Sequence, residues 1–143
     1  KRRFSFIGKI NKASIYDDYA HHPSEIKASY EIAKQISDKK IVIVFQPHRY
    51  SRTKILINDF VDSLSKIKYL ILLNTYSAGE KKIEGSTSKD IYLKILKKNK
   101  KVIYLKNLKY LSAQLSIHIT KKNTIIFMGA GSISNIAKKY FNN

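Results

Sequence analysis

The 143-residue sequence has no cysteine and no tryptophan, so it carries neither a disulfide scaffold nor a thiolate metal site. With only two prolines and five glycines there is no linker or low-complexity stretch, and no internal repeat is visible. No apolar run approaches the roughly 18 residues of a membrane span, and no apolar segment follows Lys1-Arg2-Arg3 as a signal peptide would require. The expectation is a cytoplasmic protein with no membrane partner. The first residue is Lys1 rather than Met, so the sequence reads as a piece of a longer polypeptide. Acidic residues are scarce, 10 against 28 Lys plus Arg, and the formal charge is +18. What is present in quantity is apolar: 43% of residues are hydrophobic, enough to bury a core despite a mean hydropathy of −0.31. One domain over residues 1–143 follows.

Arginine is also scarce. Arg2, Arg3, Arg49 and Arg52 are the only four, and the other 24 cations are Lys spread along the whole chain, often as pairs at element ends such as Lys39-Lys40 and Lys121-Lys122. Nucleic-acid binders usually concentrate Arg and aromatics on one face, so the charge reads as a solvated surface without a specific nucleic-acid partner. Where Lys is the default cation, an Arg marks a place where a planar, multi-donor fork matters. The other scarce residues crowd the same places. Both prolines and three of the four histidines lie in Asp17-Asp18-Tyr19-Ala20-His21-His22-Pro23 and Gln46-Pro47-His48-Arg49-Tyr50-Ser51-Arg52.

Apolar runs of strand length recur at 14–16, 41–45, 69–73, 102–105 and 124–128, separated by segments of helical spacing. Pro23-Ser24-Glu25 opens the first helix, with Ile26, Tyr30, Ala33 and Ile36 on one face. Ile55, Phe60, Val61 and Leu64 mark a second; Ile91, Leu93, Ile95 and Leu96 a third; Leu108, Leu111 and Leu115 a fourth; Ile133, Ile136, Ala137 and Tyr140 a fifth. Residues 4–10 add a strand paired with 14–16 across Asn11-Lys12. Continuously apolar strands alternating with helices predict an α/β fold, a Rossmann-like open, mostly parallel sheet with helices on both faces.

Ligands of such sheets bind beyond the carboxyl ends of the strands, where four loops gather the unusual residues. Asp17-Asp18 can be a strand end and His21-His22-Pro23 an ordinary helix entry, but two Asp, a Tyr and two His together favour a site. Arg49 and Arg52, three apart at a helix start, can grip a carboxylate or phosphate through forked, charge-assisted hydrogen bonds. Gly129-Ala130-Gly131-Ser132 permits close backbone approach to an anion, yet without a third glycine it is a weak dinucleotide signal. Glu80 is a site carboxylate or part of a turn, and His118, late in an apolar helix, is read as structural. No Ser-His-Asp order, zinc pattern or P-loop is present.

The segments 17–26 and 45–53, Tyr76-Ser77-Ala78-Gly79-Glu80 with Ile83-Glu84-Gly85, and Gly129-Ala130-Gly131-Ser132-Ile133 together resemble the C-terminal domain of the Mur ligases of peptidoglycan synthesis, in the branch that adds L-alanine to UDP-N-acetylmuramate. Lys1-Arg2-Arg3-Phe4 looks like that family's hinge. The branch that reattaches recycled murein peptide shares a similar histidine segment, whereas Gln46-Pro47-His48-Arg49-Tyr50-Ser51-Arg52 resembles the alanine-adding one. The resemblance implies a three-domain, ATP-dependent acid–amino-acid ligase, with N-terminal and central domains outside this sequence and Mg2+ held mainly by the central one. It further implies that Arg3, Asp18, His21 and His22 meet the ribose and phosphate edge of ATP, that Tyr19, His48, Arg49 and Arg52 form the L-alanine pocket, and that Glu80, Gly129 and Gly131 are weaker members of the site. Ala20 stands where Gly is often found in the family. A basic Rossmann-like nucleic-acid module is the rival from another class.

Overall fold

The computed structural model describes residues 3–142, without the side chains of Phe141 and Asn142. Lys1 and Arg2 of the expected hinge lie outside the described residues. The elements run β1 (Ser5–Ile10), β2 (Ala13–Asp18), α1 (Pro23–Ile36), β3 (Ile41–Phe45), α2 (Tyr50–Ile55), α3 (Ile57–Ser65), β4 (Tyr69–Leu73), α4 (Ser88–Ile95), β5 (Val102–Leu105), a 3-10 turn (Leu108–Tyr110), α5 (Leu111–Ser116), β6 (Thr124–Met128) and α6 (Ile133–Asn142). The sheet order is β1-β2-β6-β3-β4-β5, antiparallel only at the β1/β2 edge. That edge is a hairpin turned at Asn11-Lys12, where Asn11 adopts φ +56, a left-handed conformation that Asn tolerates.

Successive residues of each central strand enter opposite cores. Ile41, Ile43 and Phe45 pack with Ile126 and Met128 against Ile26, Tyr30 and Ala33 of α1, Phe60 and Leu64 of α3, and Ile91 and Ile95 of α4. Val42 and Val44 pack with Ile125 and Phe127 against Leu111 and Leu115 of α5 and Ile133 and Ala137 of α6. Every residue of β3 and β6 is buried, which accounts for their unbroken apolar runs. The chain leaves β3 toward the α2/α3 side and leaves the neighbouring β6 toward the α6 side. The crevice where an open sheet takes its ligands therefore falls between these two strands.

Three details depart from the sequence reading. Strand β2 continues through Asp17 and Asp18 because each carboxylate finds donors within the fold: Ser134 Oγ donates to Asp17 Oδ2 at 2.9 Å, and Ala20 N and Arg3 Nε donate to Asp18 Oδ1 at 2.9 and 3.1 Å. The expected second helix is two helices broken at Leu56, so Ile55 is 81% exposed and belongs to no core face. The hydroxyl of Thr53 donates back to the Arg49 carbonyl in this region, a bond that competes with regular helix geometry. Ile36 and Leu93 are exposed despite their apolar spacing, and Leu108 lies in the 3-10 turn before α5.

Phe60 is 1% exposed and joins α3 to the sheet beside Phe45. Replacing it with Ala removes a buried ring and leaves a cavity, so Phe60→Ala is expected to lower stability by about 3 to 5 kcal/mol. Urea denaturation with an unchanged slope measures it.

Candidate functional site

The loops after β2, β3, β4 and β6 meet above the carboxyl edge of the sheet. Each is tied to its neighbour by backbone. Gly129 N donates to Asp18 O at 3.0 Å and Gln46 N to Met128 O at 3.0 Å, so the β6 loop is held between the β2 and β3 loops. Tyr76 N donates to Pro47 O and Arg49 N to Tyr76 O, both at 2.8 Å, joining the β3 and β4 loops as a parallel bridge. To make this bridge Arg49 adopts φ +75, which an L side chain rarely does. Arg49 immediately precedes α2, and its side chain is exposed.

A row of rings runs across these loops. Tyr19 meets His21 edge-on at 5.0 Å between centroids, His21 meets His48 at 6.1 Å, and His48 stacks on Tyr76 at 5.5 Å with an 11° interplanar angle. His22 adjoins His21 at 5.4 Å. The sequence thus supplied His21 and His48 from separate segments, and the fold places them side by side.

Arg52 lies in α2 with its guanidinium turned onto His48: Nη1 is 3.0 Å from His48 Nδ1 and 3.3 Å from the His48 carbonyl. A guanidinium only donates, so His48 Nδ1 accepts and the proton of the neutral ring sits on Nε2. Burial, then the charges of Arg52, His21 and Arg49, hold the His48 pKa below the ordinary 6.5, with Glu80 pulling weakly the other way. His48 is therefore a neutral Nε2–H donor at physiological pH. Arg49 and Arg52 do not pair as a preformed fork. One is exposed and the other is braced by imidazole and carbonyl.

The carboxylates of the region are occupied by the protein. Glu80 accepts from Ser51 N at 3.0 Å and from Ser51 Oγ at 2.5 Å, and these two donors, with the Tyr50 N–H and the Arg49 charge, keep its pKa low. A tight turn aims it there: Ala78 and Gly79 have φ +52 and +86, and Glu80 N bonds to Ser77 O at 3.0 Å. Glu80 thus fastens the β4 loop to the start of α2. Glu25 does the same at α1, accepting from the His21 and His22 N–H groups at 3.2 and 3.1 Å. Burial pushes the Glu25 pKa up, but those two N–H donors and the charges of His21 and Arg3 outweigh it and leave it lowered. Arg3 bridges Asp18 and Ser29, and the buried Asp18 keeps Oδ2 without a partner.

The glycines of the last loop approach protein groups. A Cβ on Gly129, at φ +150, would lie 2.8 Å from the Gln46 carbonyl, and one on Gly131 would lie 2.6 Å from the Tyr76 ring. Gln46 reaches across to donate to Ser132 Oγ at 3.0 Å and keeps Oε1 buried without a partner. Beside it a concavity of about 480 Å³ opens between Gln46, Asn74, Tyr76, Ser77, Lys106 and Ser132. Tyr76, Ser51 and Gln46 belong to this arrangement of loops, and the sequence reading left them inside motifs without a role. Gln46 and Ser51 carried a signal in position, next to Pro47 and Arg52, whereas Tyr76 had none. His118 is buried at the other end of the sheet, just past α5 rather than within it. Among the described residues no group of three His, Asp or Glu side chains could hold a metal ion. No described helix is long and apolar enough to cross a membrane.

The structure is thus a mostly parallel α/β domain that gathers imidazole and guanidinium groups on the loops at the carboxyl edge of its sheet. The chain belongs to the family of Mur ligase, glutamate ligase domains, whose pattern it matches over residues 2–131. It is 45% identical over 141 residues to the UDP-N-acetylmuramate–L-alanine ligase of Hydrogenobaculum sp. (strain Y04AAS1), with 98% of this chain and 30% of that protein covered. The ligase of the same name from Rickettsia typhi is 42% identical, with 97% and 29% covered. The crystal structure of the UDP-N-acetylmuramate–alanine ligase of Thermotoga maritima superposes with a TM-score of 0.77 at 25% identity, covering 99% of this chain and 29% of that one. A murein peptide ligase from Psychrobacter arcticus also gives a TM-score of 0.77, at 19% identity and covering 99% and 29%, a likeness of fold. The chain spans about 30% of the length of the curated relatives it matches.

His48 is expected to titrate below 6.5 by NMR, and Arg52→Gln to bring its midpoint partway up, the part due to burial remaining. The folded chain binds fewer protons at His48 than the unfolded one between that lowered midpoint and 6.5. Stability from this group therefore rises with pH across that window, is flat above it, and loses the slope in His48→Gln.

Proposed function

We propose that this chain is the C-terminal domain of a cytoplasmic UDP-N-acetylmuramate–L-alanine ligase, working with N-terminal and central domains of the same enzyme. The reaction so assigned transfers the γ-phosphoryl group of ATP to the lactyl carboxylate of UDP-N-acetylmuramate. The alanine amine then attacks the acyl phosphate, the tetrahedral intermediate expels phosphate, and the products are the amide, ADP and phosphate. The observation that carries the reading is the ring row: His21, on the loop assigned to ATP, lies 6.1 Å from His48, on the loop assigned to alanine. A ligase that passes an activated carboxylate to an amine needs those two subsites adjacent.

In this reading the domain positions substrates. Arg3, Asp18, His21 and His22 meet the ribose and phosphate edge of ATP, with Asp18 Oδ2 an acceptor that suits a sugar hydroxyl. Tyr19, His48, Arg49 and Arg52 hold alanine. Its carboxylate takes the guanidinium of Arg49 and the remaining donors of Arg52, and the neutral His48 donates from Nε2. Glu80 fixes the start of α2 through Ser51, while Gly129 and Gly131 let the β6 loop close on Gln46 and Tyr76. Magnesium chemistry is assigned to the central domain, because the donor set among the described residues does not suit a metal ion.

In an enzyme containing all three domains, Arg52→Lys keeps the charge but loses the paired geometry on His48 and substrate. It is expected to cost about 1.5 to 3 kcal/mol in kcat/KM for L-alanine while leaving the KM for ATP within about twofold. A raised KM for ATP with an unchanged one for alanine would reverse the subsite assignment. Alone, the 143-residue chain is expected to melt cooperatively yet release no phosphate from ATP in the presence of UDP-N-acetylmuramate, L-alanine and magnesium, since it contains no P-loop.

A further inference from the structure

Strands β3, β4 and β5 begin side by side, so residues that precede them in distant parts of the sequence converge at the end of the sheet opposite the ligase loops. Lys40 immediately precedes β3, Lys68 precedes β4, Lys101 precedes β5, and Tyr69 opens β4. The three ammonium groups stand 4.4, 5.6 and 5.1 Å from the centroid of the one Tyr69 ring. The ring borders a concavity of about 310 Å³ whose walls are Val42, Ile71, Ile103 and Ile117, with Lys40, Lys100 and Lys101 at its rim. No carboxylate lines it, and none of the ion pairs among the described residues uses these lysines. The imidazole of His118 lines the same concavity, 6.5 Å from the Tyr69 ring. It is 7% exposed, and its Nδ1 has no hydrogen-bonding partner. The lysines that look evenly scattered in the sequence are thus gathered here by topology.

Like charges held around one ring repel one another, and the ring face relieves only part of that repulsion. An anion with several separate charged oxygens relieves the rest, and ammonium groups bind phosphate as point charges without needing a fork. A single carboxylate could neutralise one ammonium, whereas Lys40 and Lys101 over the ring, with Lys100 beside them at the rim, match a chain of phosphates. The apolar walls would also accept a flat base. We propose that this lysine-rimmed concavity is a binding site for an oligophosphate, free or carried by a nucleoside, separate from the loops that build the ligase site.

The test uses this chain, whose sheet is covered on both faces by its own helices. Sodium tripolyphosphate and ATP are titrated separately at constant ionic strength while the Tyr69 and His118 ring resonances are followed by NMR. Saturable shifts of both resonances are expected. The Lys40→Gln/Lys101→Gln double variant should weaken tripolyphosphate about tenfold or more, while Lys97→Gln/Lys98→Gln, which removes the same charge from exposed positions elsewhere, should change it less than twofold. Thermal melts of both double variants establish that they remain folded. Equal affinity of the two probes for these resonances identifies a free oligophosphate as the ligand, and tighter binding of ATP a nucleoside-borne one. Equal weakening by the two double variants, or titration without saturation at Tyr69 and His118, would overturn the proposal in favour of nonspecific counterion binding.

Discussion

The structure depends on β6 lying between β2 and β3. This strand is paired on both edges and buried on both faces, and it comes after every other strand in sequence. Without it the hairpin β1-β2 and the ladder β3-β4-β5 share no sheet, and the two cores lose Ile125 and Phe127 on one side and Ile126 and Met128 on the other. Its loop is also the spacer of the site. Held between Asp18 and Gln46, it sets how far the histidines of the β2 loop stand from His48 of the β3 loop. The hydrophobic filling of the sheet and the geometry of the shelf are therefore one constraint.

Electrostatically the shelf is built so that its cations remain available. Glu80 and Glu25 are spent on backbone N–H groups at the starts of α2 and α1, and Asp17 is spent on Ser134. Arg52 leans on a neutral imidazole instead of a carboxylate. A guanidinium braced by a neutral acceptor keeps most of its charge for an incoming anion, whereas one already paired with a carboxylate would first have to give that partner up. Asp18 does form an ion pair with an arginine, Arg3, and one of its oxygens is left over.

Much of this was legible in the chain. The parallel sheet followed from five unbroken apolar runs, and the hairpin from Asn11-Lys12. The crowding of His, Pro and Arg into two segments, in a sequence whose default cation is Lys, marked the loops that the fold brings together. What could not be read was anything decided by partners far along the chain. Strand β2 looked finished at Tyr16 because the Ser134 and Arg3 groups that satisfy Asp17 and Asp18 lie 117 and 15 residues away. Apolar periodicity offered Ile55 to a core, but the break at Leu56 turns it outward. The glycines of the last loop looked like an anion cradle because sequence shows the missing Cβ and hides the neighbour, here the Tyr76 ring and the Gln46 carbonyl. The row of rings has no sequence signature, since its members come from three loops joined only by topology.

The late position of β6 bears on how such a domain is made. A ribosome delivers β1 through β5 first, and until residues 124–128 emerge the nascent chain has two separate sheet pieces with open edges where β6 will sit. Val42, Val44 and Ile15 lack their strand partner during that interval, the condition in which unpaired edges associate with one another. The strand that spaces the site is thus also the seal on the nascent domain. A cell making this protein would need to shield its β2 and β3 edges for as long as translation takes to travel from β3 to β6.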